Sequence, residues 1–130
     1  MDLARYRDLF LSEARDYLRA LGRGLLELEG AGGGAPLEEA FRAAHTLKGM
    51  AATLGLETVA RLAHELEDRL AEVRAGQRAV DAALVDELLA QADRLEHAVE
   101  AVPLGRDGEP DGAGSGVAVE VLLRADAPLR

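Results

Sequence analysis

Through the first hundred residues, apolar side chains recur every three or four positions and nowhere alternate with the period of two expected of a half-buried strand. The pattern therefore predicts helices and no sheet. Leu3, Tyr6, Phe10, Ala14, Tyr17, Leu21, Leu25 and Leu28 form a first stripe, which the glycine-rich run at 30–34 ends. Pro36 suits the first turn of a second helix, whose stripe is Leu37, Ala40, Ala44, Leu47, Ala51 and Leu54 and whose stop is Gly55. A third stripe, Val59, Ala63, Leu66, Leu70 and Val73, closes at Gly76. After so short a joint, the second and third helices are expected side by side and antiparallel. Asp81 is placed to cap a fourth helix, with Val80 and Val85 spaced as a hydrophobic staple, and the stripe there is Val85, Leu88, Ala92, Leu95, Val99 and Val102. Four helices, each apolar on one face, hide those faces against one another. The expected fold is all-α, an antiparallel up-down-up-down four-helix bundle over residues 1–102.

Past that point the periodicity stops. Pro103 breaks it, and residues 103–116 have the Gly/Pro-rich composition of a flexible linker. Residues 117–130 begin with a β-branched run (Val117, Val119, Val121) that reads as one strand without a partner. The chain ends seven residues after Leu123, which fits either the threshold of another domain or a plain flexible tail.

Composition removes whole classes of chemistry. With no cysteine, the chain has no disulfide, thiolate nucleophile or cysteine-held metal. It has no tryptophan and only 3% aromatic residues, which argues against base stacking. A net charge of -9 repels nucleic acid and anionic membranes, so proteins are the expected partners. No apolar stretch approaches membrane-spanning length, and the opening Met1-Asp2-Leu3 lacks a signal-peptide layout, so the expectation is a cytoplasmic protein without direct membrane insertion.

One departure from the arginine habit marks the candidate chemistry. Lys48 is the only lysine among fifteen basic residues, three positions after His45. A lysine ammonium is a compact charge on a flexible stem, distinct from a planar guanidinium. At about 100° per residue, His45 is turned one step off the core stripe at Ala44, and Lys48 one step off it at Leu47. Gly49 shares that surface; an interior helical glycine costs about 1 kcal/mol relative to alanine, so it points either to a close approach beside the histidine or to helix packing. His64 and Glu67 bear the same one-step offset from Ala63 and Leu66 on the third helix. Because the two helices run antiparallel, these offsets turn both sets toward the shared groove or both away, and the pattern leaves the hand open. In the convergent case Glu67 accepts a hydrogen bond from one ring nitrogen of His45 and leaves the other as a nucleophile, while Lys48 screens an arriving phosphoryl group.

The run Phe41-Arg42-Ala43-Ala44-His45-Thr46-Leu47-Lys48-Gly49, with Gly55 six residues on and His64-Glu65-Leu66-Glu67 on the next helix, resembles the histidine phosphotransfer (HPt) domain of CheA-type chemotaxis kinases. The resemblance implies that His45 accepts the γ-phosphoryl of ATP from the kinase's separate ATP-binding domain and passes it to an aspartate on response-regulator receiver domains. By the same carry-over Glu67 orients His45, Lys48 supports the phosphorylated state and His64 tunes the cluster. The family often adds a further helix, for which Pro103 leaves no room, and residues 117–130 are similar to the opening strand of a regulator-docking domain. The chain has no Gly-rich phosphate loop, so no cofactor is expected on it; ATP and Mg belong to the partner kinase domain. It reads as a phosphoacceptor and carrier, a fragment of a histidine protein kinase and no enzyme by itself.

Two rivals remain. A di-metal bundle needs Glu-x-x-His pairs, which the chain lacks, and His97 reads as a solvated residue near a helix C-terminus. A non-catalytic helical interaction module is the alternative without chemistry, and it predicts no phosphoryl group on His45.

Overall fold

In the computed structural model, which describes residues 3–102, the chain forms four helices: α1 (Leu3–Ala31), α2 (Ala35–Thr53), α3 (Glu57–Arg74) and α4 (Ala82–Glu100). α1 packs on α2, α2 on α3, α3 on α4, and α4 back on α1, so the helices stand at the four corners of an antiparallel bundle. The expected all-α architecture is borne out.

The joints follow the glycine and capping logic of the sequence. α2 and α3 both end by passing the chain through a left-handed glycine, Gly55 at φ 73° and Gly76 at φ 79°. The next amide then turns back to the helix, Leu56 N–H to the Ala51 carbonyl and Gln77 N–H to the Glu72 carbonyl, each at 2.8 Å. The Asp81 carboxylate accepts from the Leu84 amide at 2.8 Å and caps α4 as expected.

Leu21, Leu25, Leu28, Leu47, Leu66, Leu70, Leu88 and Leu95 are fully enclosed at the centre. Each such leucine contributes about 1.5–3 kcal/mol by leaving water. The buried faces are wider than single stripes: Leu11, Ala43 and Leu84 are buried as well, because every helix touches two neighbours. Two stripe members leave the core. Leu54 is 40% exposed because α2 ends at Thr53, and Leu56 takes the interior place; Tyr6, near the open end of α1, is 47% exposed. The linker at 103–116 and the strand-like tail at 117–130 lie outside the described residues.

α1 and α2 approach closely at Gly24. A Cβ on Gly24 would stand 2.8 Å from the Pro36 carbonyl oxygen and 3.2 Å from the Ala40 side chain. That contact holds α2 from behind. The tight 54–56 joint then fixes how α2 and α3 line up, which sets the functional surface.

Candidate functional site

His45 projects from the middle of α2 with its side chain 61% exposed, and its Nδ1 lies 2.5 Å from Glu67 Oε2 on α3. The Glu67 side chain is only 10% exposed, and its other oxygen, Oε1, lies 2.7 Å from Lys48 Nζ. The hand of the bundle is therefore the convergent one. Among the described residues Glu67 is the sole buried charged side chain, which corrects the expectation that it lies off the core face. It sits at the edge of the α3 stripe, next to Leu66.

Burying a carboxylate is costly unless it is paired. Burial is the largest single influence on Glu67 and pushes its carboxyl up, but the Lys48 ammonium and the His45 ring together outweigh it and hold the group below the usual carboxylate range. Glu67 is thus an acceptor at neutral pH. A neutral His45 facing it must carry its proton on Nδ1, which leaves the lone pair on Nε2, across the ring from the carboxylate.

The ring has a second neighbour that sequence reasoning passed over. Phe41, one turn earlier on α2, stacks nearly parallel to His45, with 7° between planes and 6.3 Å between centroids. Arg74, at the end of α3, lies over the Phe41 ring with Cζ 4.0 Å from its centroid, and its Nη1 reaches Glu38 Oε1 at 3.2 Å. The i, i+4 spacing of Phe41 and His45 is the signal that could have shown the stack.

Gly49 is exposed, and a Cβ there would meet nothing within 4 Å, so helix packing does not account for it. The surface beside His45 is low and open. His64 is not gathered into the cluster: its Nε2 pairs with Asp68 Oδ1 at 3.4 Å on the exposed side of α3. Asp68, one turn along the same helix, supplies its partner.

No group of three or more potential metal ligands occurs among the described residues, and no helix there is long and apolar enough to cross a membrane. A groove of about 510 Å³ runs between α1 and α4, lined by Arg15, Leu18, Gly22, Leu89, Asp93 and Glu96, on the far side of the bundle from His45. The imidazole is thus presented on an open face, where a group must sit if successive macromolecular partners are to reach it.

The family described as Hpt domain matches residues 5–102. A chemotaxis protein CheA of Listeria monocytogenes is 40% identical over 120 residues, which are 92% of this chain and 19% of that protein. The CheA phosphotransferase domain from Thermotoga maritima superposes with a TM-score of 0.71 at 37% identity, covering 76% of this chain and 95% of that one. A crystal structure of the phosphorylated P1 domain of CheA3 in complex with CheY6 from R. sphaeroides gives a TM-score of 0.72 at 32% identity, over 85% of this chain and 87% of that one. The chain spans about a fifth of the length of the Listeria relative.

Proposed function

The chain belongs to the Hpt domain family, and on that premise we propose that it is the phosphocarrier of a chemotaxis-type two-component pathway, with His45 as the group that carries phosphate. The Nε2 lone pair attacks the γ-phosphorus of ATP held by a separate kinase domain; the P–N bond forms, the bond to the bridging oxygen breaks, and ADP leaves with that electron pair. Mg stays with the kinase's nucleotide. As Nε2 gives up its lone pair the ring becomes positive, and Glu67, already bonded to Nδ1–H, stabilises that charge where it develops. Lys48, anchored beside it, places an ammonium one turn from the incoming phosphoryl oxygens.

The same arrangement serves the return step. With Nδ1 still protonated the ring leaves as a neutral imidazole when a response-regulator aspartate attacks phosphorus, so the P–N bond breaks and its electron pair returns to Nε2. Glu67 thus orients the ring in both directions. Gly49 leaves the approach to Nε2 clear for a kinase domain and then for a receiver domain.

The observation that carries the reading is the 2.5 Å contact between His45 Nδ1 and the buried, Lys48-paired Glu67 carboxylate. It is supported by a relative whose phosphorylated P1 domain was captured with CheY6. Incubation with a histidine kinase ATP-binding domain and γ-labelled ATP is expected to give an acid-labile, base-stable label that His45→Gln abolishes. Undiminished label on that variant refutes the assignment.

A further inference from the structure

A hydrogen bond at Nδ1 fixes one atom of His45 and leaves the ring able to swing about that point. Nε2 attacks along a lone pair that lies in the ring plane, so the plane matters as much as the anchor. The structure supplies a second restraint. Phe41 is half-buried against the core and lies parallel to the imidazole at 7°, with centroids offset to 6.3 Å. Its own ring is clamped in turn by the Arg74 guanidinium, Cζ 4.0 Å from the centroid, and Arg74 is tied back to α2 through Glu38 at 3.2 Å. Glu38, Arg74, Phe41 and His45 thus form a ladder across the α2–α3 groove.

Its placement argues against an incidental surface pair. An exposed Arg–Glu ion pair contributes little by itself and needs no ring between its partners and the rest of the protein. Here the guanidinium lies flat over an aromatic face, the geometry of a cation–π contact. The C-terminal turn of α3 favours a cation at that position through the helix dipole. Each element keeps the next in place, and the last rung is the phosphoacceptor.

We propose that Phe41 and Arg74 are positioning residues that set the plane of the His45 imidazole and so aim Nε2 at phosphorus. This rests on the carrier reading above. A misplacement of about 1 Å can cost on the order of 100-fold in an oriented reaction, and one offset aromatic contact of ordinary strength biases orientation about two- to tenfold.

The test uses the full chain and its Phe41→Leu, Phe41→Tyr and Arg74→Met variants. The initial rate of labelling by the kinase domain is measured over a range of chain concentrations, together with the NMR shifts of the His45 ring protons without ATP. Phe41→Leu is expected to lower kcat about two- to tenfold with KM nearly unchanged, and to move the ring-proton signals as the neighbouring ring current disappears. Phe41→Tyr restores both, and Arg74→Met gives a smaller loss in the same direction. Wild-type kcat in both Phe41→Leu and Arg74→Met, or unmoved ring protons in Phe41→Leu, overturns the proposal and leaves the carrier reading intact. Should Phe41→Leu unfold, Arg74→Met decides, because Arg74 lies on the exposed surface. A wild-type chain that takes no label overturns the carrier reading and this role with it.

Discussion

Glu67 occupies a place where an unpaired carboxylate would be expelled or neutralised, and its two neighbours are what keep it ionised. Glu67→Gln retains the shape but removes the charge that balances the ring as Nε2 reacts. Phosphorylation is expected to slow by roughly ten- to a hundredfold, with the helical signal unchanged; unaltered transfer kinetics would count against the orienting role. The lowered Glu67 carboxyl also fixes the sign of a pH effect. A group depressed in the folded state adds stability above its ordinary range, near pH 4.3 for glutamate, and loses it as the pH falls through the lowered value. The Tm advantage of the wild type over Glu67→Gln should be full at neutral pH and close on acidification below about pH 4.3. An advantage that grew toward acid would contradict the assigned direction. At this scale the pattern gave the one-step offset of His45, Lys48 and Glu67. It could not give the burial of Glu67, the turn of His64 to Asp68 or the Phe41 stack, since each depends on the hand of packing and on which acceptors remain free.

The helices themselves were far more legible, because burial on a cylinder imposes a period that sequence displays directly. The stripe through Val59, Ala63, Leu66, Leu70 and Val73 reappears as the buried apolar face of α3, with Glu67 added at its edge. Errors fall where a helix stops, at Leu54, or reaches the open end of the bundle, at Tyr6. Glycines separate two kinds of constraint at this scale. Gly24 lies against a neighbour's backbone, whereas Gly49 faces open space. Gly24→Ala is expected to lower stability by about 1–3 kcal/mol, since the Pro36 carbonyl cannot easily give way. Gly49→Ala should raise it by about 0.5–1 kcal/mol, the ordinary gain of replacing an interior helical glycine, while slowing transfer by crowding the approach to His45. Urea titration with labelling rates on both variants checks the pair; a Gly49→Ala chain that is more stable and fully active would remove the close-approach role.

At the scale of the whole molecule, the bundle holds the His45 imidazole on an open face. The α1–α4 groove lies on the other side, and a net charge of -9 over the whole chain repels polyanions. In the proposed carrier role Glu67 holds Nδ1, which leaves Nε2 to take the phosphoryl group. NMR of the ¹⁵N-labelled chain after phosphorylation by the kinase domain tests this most directly. A single phosphorus coupled to Nε2 of His45 is expected, with Nδ1 still bonded to Glu67; phosphorus on Nδ1, or on any other residue, refutes the assignment.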